Sequence, residues 1–319
     1  MKQAAVKTWS TPAAREESRL IPCALCGSLS FRPALVCGGF SYVRCTRCGL
    51  VQMNPQPLAA EVGRRYGEAY GEDYLAYELK NEKPFLELQL LALKDAGFWD
   101  FEAELKKKTL PGKPPRVLDI GCATGTLLAE LRDRGWDCTG VEICGPEAAY
   151  ARRERGLDVR NSPLEENRFP ENYFDAVLAS HLIEHLNDPA SLVSEAHRIL
   201  APKGVFIVTT PNIAGFQARL FRSAWRSAIF DHLYLFSVKT LSALLRQKGF
   251  SIEKTAAWGG LAAGTSPPPV KRLFDKAAKR FGFGDVMLIR AGKQQPPTVA
   301  PCPKHRLRRA SSLPRQKPC

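Results

Sequence analysis

Two acidic residues around a glycine-rich turn are the part of this sequence best suited to chemistry. Asp119 precedes the turn Gly121-Cys-Ala-Thr-Gly125, and Glu142 follows Gly121 by 21 positions. In βαβ units an acidic residue at about that distance accepts hydrogen bonds from ribose hydroxyls. The turn lacks the G-x-G-x-x-G spacing that admits a pyrophosphate, and a carboxylate ahead of it favours a cationic ligand group. The pattern therefore predicts a site for a ribose-containing ligand that carries positive charge.

The elements that must position these residues follow from the apolar pattern around the turn. Residues 117–120 form a short apolar run interrupted only by Asp119, which predicts a buried strand that enters the turn. Leucines between 127 and 131 recur at helical spacing after the turn, and residues 138–143 predict the next strand. Strands and helices continue to alternate as far as residue 291. This alternation predicts an α/β fold with a doubly wound sheet.

The strand and turn resemble the first motif of the class I S-adenosylmethionine-dependent methyltransferases. That motif reads hydrophobic-Leu-Asp-hydrophobic-Gly-x-Gly-x-Gly, and Ala123 stands at the position of its middle glycine. The resemblance runs from about Arg116 to Ala291 and implies a Rossmann-like, seven-stranded sheet whose last strand is antiparallel. It implies S-adenosylmethionine as cofactor, its methionine part at the turn, its ribose at Glu142 and its adenine beside Ile143. The cofactor-binding residues implied in this way are Asp119, Gly121, Cys122, Ala123, Gly125, Glu142, Ile143, Asn161, Ser162, Ala179 and Ser180.

Three histidines, His181, His185 and His232, are the candidates for acid–base chemistry. Imidazole titrates near neutral pH, so each of them could take a proton from an acceptor. His185 and His232 are favoured, and a structural role, in which a loop histidine bonds the backbone, stands beside the catalytic one for each. Glu184-His185 also resembles part of the Glu-x-x-Glu-His metal site of ubiquinone-pathway O-methyltransferases, with His181 in place of the first glutamate. That resemblance implies a divalent metal at Glu184 and His185.

Two C-x-x-C knuckles near the N-terminus predict a zinc site. Cys23-Ala-Leu-Cys26 and Cys45-Thr-Arg-Cys48 are separated by 18 residues, a spacing typical of four thiolates around one tetrahedral zinc ion. A glycine follows each knuckle and lets the backbone turn beneath the metal. Because four cysteine ligands leave no open coordination position, we expect this zinc to be structural.

Charge and composition divide the chain into parts. The net charge is +14, and residues 293–319 contribute seven basic side chains and no acidic one. We expect a disordered leader over 1–20, a zinc-ribbon module over 21–56 and a helical segment or lid over 57–115, in which residues 84–108 form one helix. The cofactor-binding domain then occupies 116–292, with a Pro-rich, basic excursion over 267–280, and a basic disordered tail occupies 293–319. The sequence contains no apolar run of transmembrane length and no signal peptide, which favours a cytoplasmic location.

These observations predict an enzyme that transfers a methyl group from S-adenosylmethionine to a small-molecule acceptor. The ribbon beside the methyltransferase motifs resembles bacterial methyltransferases of sugars and other small metabolites, so the expected acceptor is a sugar or a quinone-like metabolite. An RNA or protein methyltransferase that uses the ribbon and the basic tail for binding is the first alternative. Weak contact of the tail with nucleic acid or an anionic surface is compatible with either interpretation. A non-catalytic module that binds the cofactor is the second alternative.

Overall fold

The computed structural model describes residues 17–65, 68–108, 112–260 and 267–294. The strands are β1 Ser18–Arg19, β2 Phe31–Cys37, β3 Phe40–Cys45, β4 Val51–Met53, β5 Gln56–Pro57, β6 Arg116–Ile120, β7 Asp137–Val141, β8 Asp158–Arg160, β9 Phe174–Ser180, β10 Leu200–Pro211, β11 Tyr234–Leu235, β12 Phe250–Trp258 and β13 Val286–Lys293. The helices are α1 Ala59–Arg65, α2 Glu68–Ala96, α3 Phe98–Lys108, α4 Thr126–Asp133, α5 Gly145–Arg155, α6 Pro189–Ile199, α7 Phe216–Phe221, α8 Val238–Gln247 and α9 Pro268–Phe281.

The main sheet has seven strands in the order β12-β13-β10-β9-β6-β7-β8. Neighbours from β10 to β8 pair in parallel, whereas β13 is antiparallel to both β10 and β12. This confirms the doubly wound α/β fold and the antiparallel last strand. The chain runs outward from β6 through β7 to β8, and then returns to β9 on the other side of β6. In open α/β sheets the ligand crevice lies at such a switch point, beyond the carboxyl ends of the strands.

The sequence explains why these segments form the centre of the sheet. Strand β6 carries apolar side chains that are almost fully buried between the helix layers, as a central parallel strand requires. Helix α6 begins after Asp188, whose carboxylate accepts hydrogen bonds from the Ala190 and Ser191 amides, with Pro189 in its first turn. Helix α8 begins at a capping box formed by Ser237 and Thr240. These caps fix where α6 and α8 begin after the loops that follow β9 and β11.

The cysteine-rich N-terminal segment is joined to the main domain by a second sheet. Strands β2, β3 and β4 form an antiparallel sheet, and β11, which lies between β10 and α8 in sequence, pairs with β4 as its fourth strand. Buried side chains of the segment belong to the same apolar core as those of β6, β9 and β10. The segment over 21–56 is therefore packed directly on the main domain.

Several expected boundaries differ from the structure. The helix expected over 84–108 is wrong as a single element, because Gly97 adopts a φ of +70° and separates α2 from α3. The excursion over 267–280 forms α9. Within the expected leader, Ser18–Arg19 pair with β5, and residues 1–16 lie outside the described part of the chain. Of the basic tail, Lys293 ends β13, while residues 295–319 lie outside the described part.

Among the described helices, none has the length and apolar character needed to cross a lipid bilayer.

Candidate functional site

The glycine turn after β6 has a backbone that few other sequences could adopt. Gly121, Ala123 and Gly125 have φ values of +73°, +48° and +76°. Glycine adopts this left-handed region without penalty, whereas Ala123 does so at a cost. A Cβ at Gly125 would lie 2.5 Å from the Leu157 Cδ1 atom, so the turn also allows α4 to pack closely against its neighbours. The turn lies at the switch point of the sheet and is fixed there by its own amides, since those of Gly121 and Cys122 donate to the Val141 carbonyl and that of Gly125 donates to the Cys122 carbonyl.

Glu142 is held in place by the turn that it faces. Its carboxylate accepts hydrogen bonds from the Ala123 amide at 3.0 Å and the Cys144 amide at 2.7 Å. The side chain is buried, and burial raises the pKa of Glu142 despite these amide donors. Each carboxylate oxygen has a second lone pair, so Glu142 keeps the capacity to accept bonds from two adjacent ligand hydroxyls.

Asp119 lies at the end of β6 with an incomplete set of hydrogen bonds. It is only 3% exposed, and its Oδ1 atom has no hydrogen-bond partner among the described residues. Burial, and secondarily the nearby Glu142 carboxylate, raise the pKa of Asp119 well above its ordinary value. A buried carboxylate in this condition is stabilised by a bound cation or a strong donor. Asp119 thus fits the ammonium group of an amino-acid ligand.

Further carboxyl groups and helix α2 surround the same pocket. Burial, followed by repulsion from Glu142, raises the pKa of Glu147 to about 8 and that of Glu78 to about 7. Glu78 belongs to α2, which packs against the start of α5 so closely that a Cβ at Gly71 would lie 2.8 Å from Pro146. Helix α2 therefore covers one side of an acidic crevice.

The loops after β7 and β8 meet beside Glu142. Ile143 is 42% exposed, an unusual exposure for an isoleucine next to a buried strand and suited to packing on a flat ring. The side-chain amide of Asn161 donates to the Glu142 carbonyl at 2.8 Å and to the Ile143 carbonyl at 3.1 Å. Ser162 donates its hydroxyl to the Asn167 side chain. In this structure Asn161 therefore positions Ile143, and a direct contact of Asn161 or Ser162 with the ligand remains a prediction.

The loop after β9 closes the crevice on its other side. Ala179 is buried within β9 and Ser180 ends it, and His181 follows with a φ of +51°. Leu182 lies against the glycine turn, 3.4 Å from the position of a Cβ on Gly121. The structure therefore brings the turn and the carboxyl end of β9 together, as the order of the strands predicts.

Next to this loop, Glu184, His185 and His232 form a cluster. Their ligand-type atoms all lie within 4.8 Å of one another, and the two imidazole rings meet edge to face with centroids 4.7 Å apart. The His181 Nδ1 atom is 3.4 Å from Glu184 Oε1, and the His181 side chain is 52% exposed. Burial lowers the pKa of His232 to about 3. Burial alone would raise the pKa of Glu184, but the three neighbouring histidines outweigh burial and lower the pKa of Glu184 to about 2. The three predicted histidines are thus brought together around one buried carboxylate.

Tyr42, in β3 of the cysteine-rich segment, is a member of this site that the sequence did not indicate. It is 1% exposed, and its hydroxyl lies 2.7 Å from the Ile229 carbonyl and 2.8 Å from the His232 carbonyl. Its contacts join residues 187 and 190 positions apart. No local spacing could have revealed them.

The four knuckle cysteines converge as predicted. The Cys23 and Cys48 sulfurs are 3.4 Å apart, and those of Cys26 and Cys45 are 3.5 Å apart. Sulfurs around a tetrahedral zinc ion are separated by about 3.8 Å. Four close thiols without a disulfide therefore fit one zinc ion, and its presence remains a prediction.

Comparison with known proteins agrees with the geometry of the crevice. A family model described as a methyltransferase domain matches residues 97–255. A probable S-adenosylmethionine-dependent methyltransferase of Mycolicibacterium smegmatis is 34% identical over 146 residues, which cover 44% of this chain and 53% of that protein. The ubiquinone biosynthesis O-methyltransferase of Pseudomonas aeruginosa is 31% identical over 136 residues, which cover 36% of this chain and 58% of that protein. The chain therefore spans little more than half the length of these relatives.

Among solved structures, a possible histamine N-methyltransferase from Thermotoga maritima is similar to 69% of this chain and to 100% of its own, with 23% identity and a TM-score of 0.46.

Proposed function

Because the chain belongs to the class I S-adenosylmethionine-dependent methyltransferases, we propose that it transfers a methyl group from that cofactor to a small-molecule acceptor bound beside the β9 loop. The observation that carries the proposal is the pairing of the unpartnered Asp119 oxygen with the amide-held Glu142 carboxylate in one acidic crevice. A sulfonium cofactor supplies the positive charge that would balance these two carboxylates.

We assign each cofactor-binding residue to a different part of the ligand. Asp119 would accept hydrogen bonds from the α-ammonium group, and Glu142 would accept them from the two ribose hydroxyls. Ile143 would pack on the adenine, and Asn161 fixes the loop that carries Ile143. S-adenosylmethionine supplies an activated methyl group, so the protein's task is to align the acceptor with it and to remove a proton where the acceptor has one.

On the acceptor side we assign proton transfer to His181. His185 and His232 were the favoured bases from sequence, but each has its Nδ1 atom against an interior carbonyl, and His232 is buried. His181 is half exposed at the carboxyl end of β9, where an acceptor can approach it. Glu184, 3.4 Å away, stabilises the imidazolium that forms when His181 takes a proton.

The acceptor classes that we propose are sugar and quinone-like metabolites with a free hydroxyl group. A ubiquinone-pathway O-methyltransferase among the relatives supports the second of these classes. The RNA or protein alternative depends on the zinc ribbon and on residues 293–319, and of the latter the structure describes only Lys293 and Gln294.

Two measurements test the proposal. Isothermal titration calorimetry with S-adenosylhomocysteine should show one site in the full chain and an affinity at least about tenfold weaker in Glu142→Ala. Methyl incorporation from labelled S-adenosylmethionine is then measured with a panel of hydroxylated sugars and quinols, with His181→Gln as the inactive partner. Undiminished binding in Glu142→Ala refutes the cofactor site. Tight binding without methyl incorporation on any panel member favours the non-catalytic module instead.

A further inference from the structure

Helix α9 has an apolar face that lies in solvent. Four of its large apolar side chains recur at helical spacing and are exposed: Val270, Leu273, Phe274 and Phe281. Leu273 is 68% exposed and Phe281 is 75% exposed, whereas Ala278, on the side of α9 that is turned towards the protein, is fully buried. The larger apolar side chains of α9 are therefore mostly turned away from the core. Exposed apolar patches of this kind mark contact surfaces.

Helix α7 extends this surface. The Phe216 ring of α7 lies beside the Phe274 ring of α9, with centroids 6.0 Å apart, and the Phe216 amide donates to the Phe283 carbonyl just after α9. Leu220 and Phe221, at the end of α7, are also exposed. We call the exposed apolar side chains of the two helices the α9 surface; its members are Val270, Leu273, Phe274, Phe281, Leu220 and Phe221.

Basic side chains border the α9 surface. Helix α9 contains five basic residues and one acidic residue. The acidic residue, Asp275, lies 2.6 Å from the Lys271 ammonium group, and Lys279 pairs with Asp95 of α2. The three remaining cations are exposed and form no ion pair with any residue that the structure describes; they are Arg272, Lys276 and Arg280. The α9 surface is therefore an apolar patch with uncompensated positive charge beside it.

The combination of apolar and cationic side chains decides what fits this surface. A second copy of the chain would place two positively charged helices against each other. A nucleic acid would engage the cations but would not bury aliphatic side chains such as Val270 and Leu273. A bilayer with anionic lipids accepts both kinds of side chain, because its headgroups attract Lys and Arg while the acyl boundary takes up Leu and Phe. We propose that the α9 surface docks the protein on an anionic lipid bilayer, with α9 lying in the plane of the headgroups.

The docking surface lies at the edge of the sheet onto which the acceptor site opens. Val286, the first residue of β13, pairs with Trp258 at the end of β12 and with Pro211 at the end of β10. The last residues of β10 in turn lie beside Ser180 at the end of β9. Helix α9 joins β12 to β13, so it lies at this same edge. A bilayer bound there could supply an acceptor of low water solubility to the β9 loop; this consequence rests on the proposed function, whereas the docking itself does not.

Co-sedimentation of the full-length chain with lipid vesicles tests the proposal. The vesicles contain phosphatidylcholine alone, or phosphatidylcholine and phosphatidylglycerol in equal parts. We expect the chain to bind the anionic vesicles, less tightly at high salt, and to bind the neutral vesicles much more weakly. Leu273→Ser/Phe281→Ser should weaken binding to the anionic vesicles at least about 30-fold, because these two side chains no longer transfer from water to lipid. Arg272→Gln/Lys276→Gln/Arg280→Gln should weaken it at least about tenfold.

The matched control is Leu88→Ser/Leu91→Ser, which makes the same kind of change at two exposed leucines of α2. This control should bind both kinds of vesicle as the wild type does. Because every variant alters exposed side chains only, thermal unfolding should stay close to that of the wild type. S-adenosylhomocysteine affinity should also be unchanged in every variant. Failure of the proposed function would appear in the wild-type titration and would leave the vesicle result intact.

Three results of the vesicle assay overturn the proposal: no binding to anionic vesicles, equal binding to both kinds of vesicle, or full binding by Leu273→Ser/Phe281→Ser. The last of these would assign the lipid contact to another part of the chain, such as residues 295–319. Sedimentation velocity without lipid provides a fourth criterion. A concentration-dependent dimer that is lost in the same variant would show that a second copy covers the α9 surface, and would overturn the proposal as well.

Discussion

Asp119→Asn should stabilise the ligand-free protein and weaken cofactor binding at the same time. Asparagine has nearly the same shape as aspartate, so the substitution leaves the packing of β6 intact while removing the charge. The pKa of Asp119 is raised in the folded state, chiefly by burial and then by Glu142. A group with a raised carboxyl pKa lowers folding stability as pH rises above its unfolded pKa, because ionising it costs more in the folded chain. Asparagine cannot ionise and therefore avoids this cost at neutral pH.

The two effects have different magnitudes. Stabilisation on relieving a strained functional charge is about 1 kcal/mol, which raises the Tm of a domain of this size by about 2–4 °C. A hydrogen bond between charged groups contributes about 1.5–3 kcal/mol, so losing the Asp119–ammonium contact should weaken S-adenosylmethionine binding about 10- to 100-fold. A higher Tm together with a weaker affinity identifies a ligand-binding carboxylate, whereas loss of a structural carboxylate lowers the Tm.

Thermal unfolding of the ligand-free protein and calorimetric titration with S-adenosylmethionine measure the two effects separately. Asp175→Asn is the matched control, because Asp175 lies on the neighbouring β9 and its carboxylate already accepts the Arg116 amide at 2.9 Å. The control should leave affinity unchanged and should not raise the Tm. A Tm that falls in Asp119→Asn, or an affinity that stays within about twofold of wild type, would show that Asp119 has a structural role and no contact with the cofactor.

Three further predictions follow from the same structure. The pKa values of Glu147 and Glu78 are raised to about 8 and about 7, so raising the pH from 6 to 8.5 ionises both carboxyl groups. Their ionisation should destabilise the ligand-free protein. It should also strengthen binding of cationic S-adenosylmethionine about tenfold more than binding of S-adenosylhomocysteine, which calorimetry at each pH will measure. Tyr42→Phe removes the hydroxyl between the Ile229 and His232 carbonyls and should lower folding stability by about 1–3 kcal/mol. Methyl transfer should fall while S-adenosylhomocysteine affinity stays unchanged. An equal loss of both would contradict the placement of Tyr42 in the acceptor site. Titration with an organomercurial should release one zinc ion per chain and lower the Tm, and release of none would exclude the four-thiolate site.

The cofactor half of the site could be predicted because its parts are close together in sequence. The strand, turn, helix and second strand that position Asp119 and Glu142 span fewer than thirty residues, and each has a local signal. Hydrophobic runs predict the strands, and glycines predict the positive φ values. Boundaries were less predictable: the apolar pattern of residues 84–108 continues through Gly97, and only the backbone shows that α2 ends there.

The acceptor half depends on contacts that local sequence does not encode. His232 reaches Glu184 only because the segment before β11 folds back onto the β9 loop, where the Glu184 carbonyl accepts the Leu233 and Tyr234 amides. The residue types suggested bases or ligands, but their grouping depends on how distant elements pair. This also explains why the sequence favoured His185 and His232 as bases, since their interior hydrogen bonds are visible only in the fold.

The same contacts explain why a closed four-cysteine site would accompany a methyltransferase fold. Strand β4 of the cysteine-rich segment pairs with β11, and the Met53 amide donates to the Leu233 carbonyl at 2.8 Å. Leu233 in turn donates its own amide to Glu184. A continuous chain of backbone hydrogen bonds therefore runs from the ribbon sheet to the main-chain carbonyl of Glu184 in the acceptor site. Because β11 contributes only two residues to this sheet, its position depends on β4, and zinc that stiffens the ribbon would also stiffen the wall that carries His232.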